Sequence, residues 1–148
     1  MSKIKSFRGK IADGSIDTVL LHTNTGSTGY KIKKFQIITS SPSAGSDYAS
    51  IVKIYKIPQT TVDATVDFSD NTLMGVAWSS GDSATPNNFL ETVIFDNEIV
   101  NQDIYITHSE VVGSTPSNYY LELEQVKLDL NENTVTTLKD IRNIQNPQ

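Results

Sequence analysis

Hydrophobic and polar positions alternate with a period of two along most of this chain, a spacing that predicts strands rather than helices. A first extended segment covers residues 3–11, and Asp13, Gly14 and Ser15 supply a turn. Residues 16–23 (IDTVLLHT) predict a second strand, whose apolar residues run too continuously for an exposed edge. After the glycine-rich loop from Asn24 to Gly29, residues 30–39 form a long strand. Tyr30 and Ile32 share one phase while Phe35, Ile37 and Thr39 take the other, so a bulge is expected near Lys33 and Lys34. Residues 50–57 follow, closed by Pro58.

In residues 62–68, Val62, Ala64, Val66 and Phe68 alternate strictly with Asp63, Thr65 and Asp67, the cleanest two-sided strand pattern in the chain. Residues 73–78 read as a strand or a short helix, and 79–88 as the longest loop. Strands over 90–95, 103–108 and 118–130 complete the set. Only the C-terminal arm, residues 131–148, has helical spacing. Asn133 or Thr134 can cap it, and Val135, Leu138, Ile141 and Ile144 recur every three residues. Eight or nine strands without interleaved helices predict a single all-β domain over 1–148: an antiparallel, jelly-roll-like β-sandwich with a short C-terminal helix.

Composition agrees with the pattern. Ile, Val and Thr make 42 of 148 residues, all β-branched, which excludes a helical bundle and a coiled coil. No apolar run approaches the roughly 18 residues of a membrane span. The N-terminus carries positive charge without an apolar stretch behind it, so no signal peptide is expected and assembly in a cytoplasm is. There is no cysteine, hence no disulfide and no thiolate ligand or nucleophile. A net charge of −5 and a pI near 4.9 argue against a nucleic-acid partner. Charge is nevertheless uneven. Residues 1–56 hold nine basic side chains against three acidic ones; residues 57–148 hold three against fourteen. That split predicts a basic face, an acidic face and a homo-oligomer joined through them.

Candidate chemistry is sparse. His22 and His108 are the only histidines, both ending apolar strands, and no serine stands in a nucleophile elbow. Both are expected to be satisfied by backbone, and no catalytic residue is assigned. The loop before Tyr30 opens a strand rather than a helix, so it cannot converge amides on a phosphate. Asp67, Asp70 and Asn71 begin like a calcium loop, but the sixth position is Thr72 instead of glycine and the twelfth is Trp78 instead of glutamate. Asp96, Asn97 and Glu98 make another acidic turn. No metal and no cofactor are expected. Tyr30, Tyr55 and Tyr105 lie inside apolar strands and belong to the core or its border. Trp78, at the lip of the long loop, is the one candidate ligand contact, because an exposed indole can stack on a sugar ring.

The segments TVLLHT (18–23), GYKIKKFQI (29–37), VKIYK (52–56), IFDNEI (94–99), DIYITH (103–108), YYLELEQVKLDL (119–130) and TVTTLKDIRNI (134–144) span nearly the whole chain. Read together, the chain resembles small uncharacterised structural proteins of uncultured marine bacteriophages. Their strand order also looks like the opening of phage jelly-roll appendage domains, which commonly place Pro-Ala-Gly-Lys where this chain has the loop from Asn24 to Gly29. The resemblance implies a virion structural part such as a capsid decoration, head-fibre or tail component, with no catalytic residues. It implies partners among virion proteins and copies of the chain itself, a trimer by analogy with phage appendages. The alternative is a β-sandwich module that binds a glycan or cell surface through Trp78 and one or two tyrosines exposed in a row with it.

Overall fold

The computed structural model describes residues 3–23, 26–42, 47–82, 88–95 and 98–128. Eight strands follow one another in chain order: β1 (Lys3–Ile11), β2 (Ile16–Val19), β3 (Thr28–Thr39), β4 (Tyr48–Tyr55), β5 (Leu73–Gly81), β6 (Asn88–Ile94), β7 (Ile104–Glu110) and β8 (Ser117–Lys127). They form two antiparallel sheets in a sandwich-like arrangement. One is three-stranded with order β1-β8-β3, the other five-stranded with order β2-β7-β4-β5-β6. No helix occurs among the described residues. The helix expected over 131–148 lies outside them, as do Asn24 and the Asp96–Asn97 half of the second acidic turn.

Side-chain alternation sorts each strand between core and solvent. Phe35, Ile37, Leu121 and Leu123 from the smaller sheet meet Val52, Ile54, Ile104 and Ile106 from the larger, all nearly inaccessible. Each such side chain contributes about 1.5–3 kcal/mol relative to an exposed one. In β3 the register shifts between Ile32 and Lys34, the bulge expected from the change of phase. That single inserted residue lets both Ile32 and Phe35 point inward.

The turn after β1 depends on Gly14, whose φ of 77° is left-handed and open to glycine at little cost. Its amide donates to the His108 carbonyl at 2.8 Å, tying the β1–β2 turn to β7. Farther along β1, Gly9 lies opposite Tyr119. A Cβ on Gly9 would stand 2.8 Å from the Tyr119 hydroxyl oxygen. The ring needs that bare backbone to cross β1, and its hydroxyl donates to Asp17 Oδ2 on β2 at 3.0 Å. One tyrosine therefore joins the two sheets.

Two expected strands fall short, and the loop expected over 79–88 is cut back by β5, which runs to Gly81, and by β6, which begins at Asn88. The segment 16–23 forms a strand only as far as Val19, and β2 is an edge of its sheet. The Asp103 carboxylate ends it: Oδ1 accepts the Leu21 amide at 2.8 Å, the His22 amide at 3.0 Å and sits 2.7 Å from His22 Nδ1. Those amides are no longer offered to a ladder, and Leu20 is exposed. Residues 62–68 form no strand either. Side chains take their backbone groups instead. Asp63 Oδ1 accepts the Thr65 amide at 3.1 Å, Asp67 Oδ1 accepts the Ser69 amide at 2.9 Å, and Lys53 Nζ donates to the Thr65 carbonyl at 2.6 Å. Aspartates at these positions offer the chain turns that compete with a ladder.

Candidate interaction surface

Trp78 does not stand at the lip of a loop: β5 continues to Gly81, and Trp78 lies within it, opposite Ile51 of β4 and Glu91 of β6. It points away from the core and keeps 37% of its surface exposed. Phe89, one diagonal away on β6, lies nearly parallel to it, 7° between the planes and 6.2 Å between centroids. Below them Val76 and Val93 are directly paired. Residues 66 and 68 come over from the crossover segment and complete a hollow of about 280 Å³ lined chiefly by Ile51, Val66, Phe68, Val76, Trp78 and Val93. Its polar member is Glu91.

The strand that borders this hollow is an edge. Among the described residues β6 pairs with β5 on one side only, and six of its seven residues are exposed. Phe89 and Leu90 keep more than half their surface, on opposite faces of the strand. An edge carrying apolar side chains on both faces and free backbone groups is a template for another chain. Neighbouring Phe68 packs edge-on against Phe95, 5.1 Å and 86°, over a second hollow of about 260 Å³. The buried Lys56 ammonium pairs with Glu98 at its rim.

The other candidates from sequence are dispersed. His108 is buried on β7 with Nδ1 3.1 Å from the Ile11 carbonyl, the backbone satisfaction expected of it. His22 is exposed and pairs with a carboxylate rather than backbone. Partial burial works against the charge on Asp103, but hydrogen bonds from the His22 ring and the two amides outweigh it and hold its carboxyl below the ordinary range. Neither histidine's partner is a hydroxyl nucleophile. Asp67 and Asp70 each close a turn on themselves, Asp67 Oδ1 to the Ser69 hydroxyl at 2.6 Å and Asp70 Oδ1 to the Thr72 hydroxyl at 2.6 Å. The Ser69 hydroxyl, then its amide, lowers the Asp67 pKa. No group of three or more metal-binding side chains exists among the described residues. Tyr30 is buried, and Tyr55 and Tyr105 are half-buried.

Sequence reasoning missed Phe89 as the companion of Trp78. The alternation of 88–94 places Phe89, Glu91 and Val93 on one face, but only the β5–β6 register brings that face beside Trp78. No family model, curated protein or solved structure matches the chain.

Proposed function

We propose that this chain is a non-enzymatic structural component of a marine phage virion, a capsid decoration, head-fibre or tail part. It acts through contacts with its own copies and with other virion proteins, and is assembled in the host cytoplasm. The observation that carries the reading is the apolar Trp78–Phe89 face running out onto β6, the edge of its sheet among the described residues. A chain using only one copy of itself would expose that strand to indiscriminate pairing. The strand order supports a jelly roll: β1 pairs β8, β2 pairs β7 and β4 pairs β5, three of the four antiparallel pairings of that topology. The fourth pair, β3 with β6, is replaced by β6 lying beside β5.

Sedimentation tests the contact. The full chain is expected to run as a homo-oligomer, a trimer by analogy with phage appendages. The double variant Trp78→Ala/Phe89→Ser is expected to run as a folded monomer. A wild-type monomer at every concentration would remove the proposal. The second reading, a glycan-binding module, draws on the same parallel pair of exposed rings. Glycan-array binding that Trp78→Ala abolishes, in a chain that stays monomeric, would favour it instead.

A further inference from the structure

The outward face of the three-stranded sheet carries a hollow of its own, on the side of the molecule away from Trp78. Register places Arg8, Tyr120 and Gln36 in one row across β1, β8 and β3, and Lys10, Asn118 and Ile38 in the next. Arg8, Gln36, Ile38, Asn118 and Tyr120 line a cleft of about 470 Å³, within the range of about 300–1,000 Å³ typical of small-ligand sites.

Tyr120 comes from the central strand, and its hydroxyl donates to Glu122 Oε2 at 2.8 Å, two residues along the same face. The ring itself is half-exposed and lines the cleft. The hydrogen bond that Glu122 accepts raises the Tyr120 pKa, so the phenol stays neutral. Arg8 enters no ion pair with a described residue, and the side-chain amides of Gln36 and Asn118 bond to none. On the outward face of this sheet Arg8, Lys10, Lys31 and Lys34 outnumber Glu122 and Glu124, so the field over the cleft favours an anion.

An aromatic face flanked by planar amides suits the apolar face and hydroxyls of a sugar ring. A guanidinium fork beside it suits a carboxylate, which it can hold through two parallel hydrogen bonds. We infer that this cleft binds a carboxylate-bearing saccharide, the ring on Tyr120, the hydroxyls on Gln36 and Asn118 and the carboxylate on Arg8. The site is separate from the Trp78 face and does not rest on the contact made there.

The test titrates the full chain with trigalacturonate, with its methyl ester, and with a single-stranded oligonucleotide, followed by amide chemical shifts. Trigalacturonate is expected to bind at millimolar concentration and to shift amides of β1, β8 and β3. Arg8→Ala and methyl esterification should each weaken it about tenfold, the size of one charge-assisted hydrogen bond. Tyr120→Ala should abolish the shifts while Tyr120→Phe preserves them, and Trp78→Ala should bind as wild type. Arg8 and the ester keep the proposal open to refutation should Tyr120→Ala not fold. No binding of trigalacturonate, equal binding of the ester, or tighter binding of the oligonucleotide would each overturn it. So would a change of oligomeric state in Arg8→Ala with saccharide binding intact.

Discussion

Tyr119 and Gly9 show how far one residue's geometry reaches. The ring crosses β1 only because Gly9 has no side chain, and its hydroxyl ends on Asp17 in the other sheet. Burial first, and then the charge of Asp17 and the bond to it, push the phenol up to about 12. The folded pKa therefore exceeds the unfolded value of about 10. Stability from this group is whole below pH 10 and is lost as pH rises toward the folded value, because the unfolded chain releases the proton first. Tyr119→Phe is expected to be about 1 kcal/mol less stable at neutral pH, the net value of a hydrogen bond. Chemical denaturation of both proteins between pH 10 and 12 should show the gap closing. A gap constant across that window would separate the phenol from the folded state's alkaline limit.

At the scale of elements, most strands were legible because a half-buried strand leaves its period in the sequence. The extent of β1 and the bulge in β3 could be read from phase alone. The segment 62–68 could not, since its alternation is genuine but its backbone is bonded to Asp63, Asp67 and Lys53 instead of a neighbouring strand. Period reports which faces differ, not whether a ladder exists. Lys53 is itself the hidden element, a buried ammonium on β4 held by the Thr65 carbonyl, by Asp63 at 3.2 Å and over the Tyr55 ring at 5.6 Å. It pins the crossover that delivers Val66 and Phe68 to the Trp78 hollow. Lys53→Met keeps the stem's packing and removes the charge, at a cost of about 1.5–3 kcal/mol for the bonds lost. Amide exchange in 62–68 is expected to quicken far more than in β4 and β7. Uniform exchange across all three would mean that the crossover is held by its apolar residues alone. The candidate site was legible only as Trp78, because its partners come from three other segments whose registers no local pattern contains.

For the whole molecule, the uneven charge along the chain became uneven charge in space because of where the strands pair. β1 and β3 carry seven of the first fifty-six residues' nine basic side chains and flank β8 in one sheet. The larger sheet holds Asp17, Glu91 and Glu110 against Lys53, and Asp63, Asp67 and Asp70 lie on the crossover whose Asp63 and Thr65 meet Lys53 on β4. Had β1 and β3 been dealt to different sheets, the two signs would have come closer to averaging out. Opposite signs on different surfaces of one chain favour a head-to-tail contact, which closes into a ring or continues as a filament. Such a contact weakens as the Debye length falls from about 10 Å at 0.1 M salt to about 3 Å at 1 M, whereas an apolar contact through Trp78 and Phe89 does not. Association is therefore expected to weaken as salt rises, with the Trp78–Phe89 contact remaining, and the charge reversal Lys31→Glu/Lys34→Glu to weaken it at low salt. Sedimentation at the two salt levels measures both. An assembly indifferent to salt and to the reversal would leave the apolar edge of β6 as its only cement.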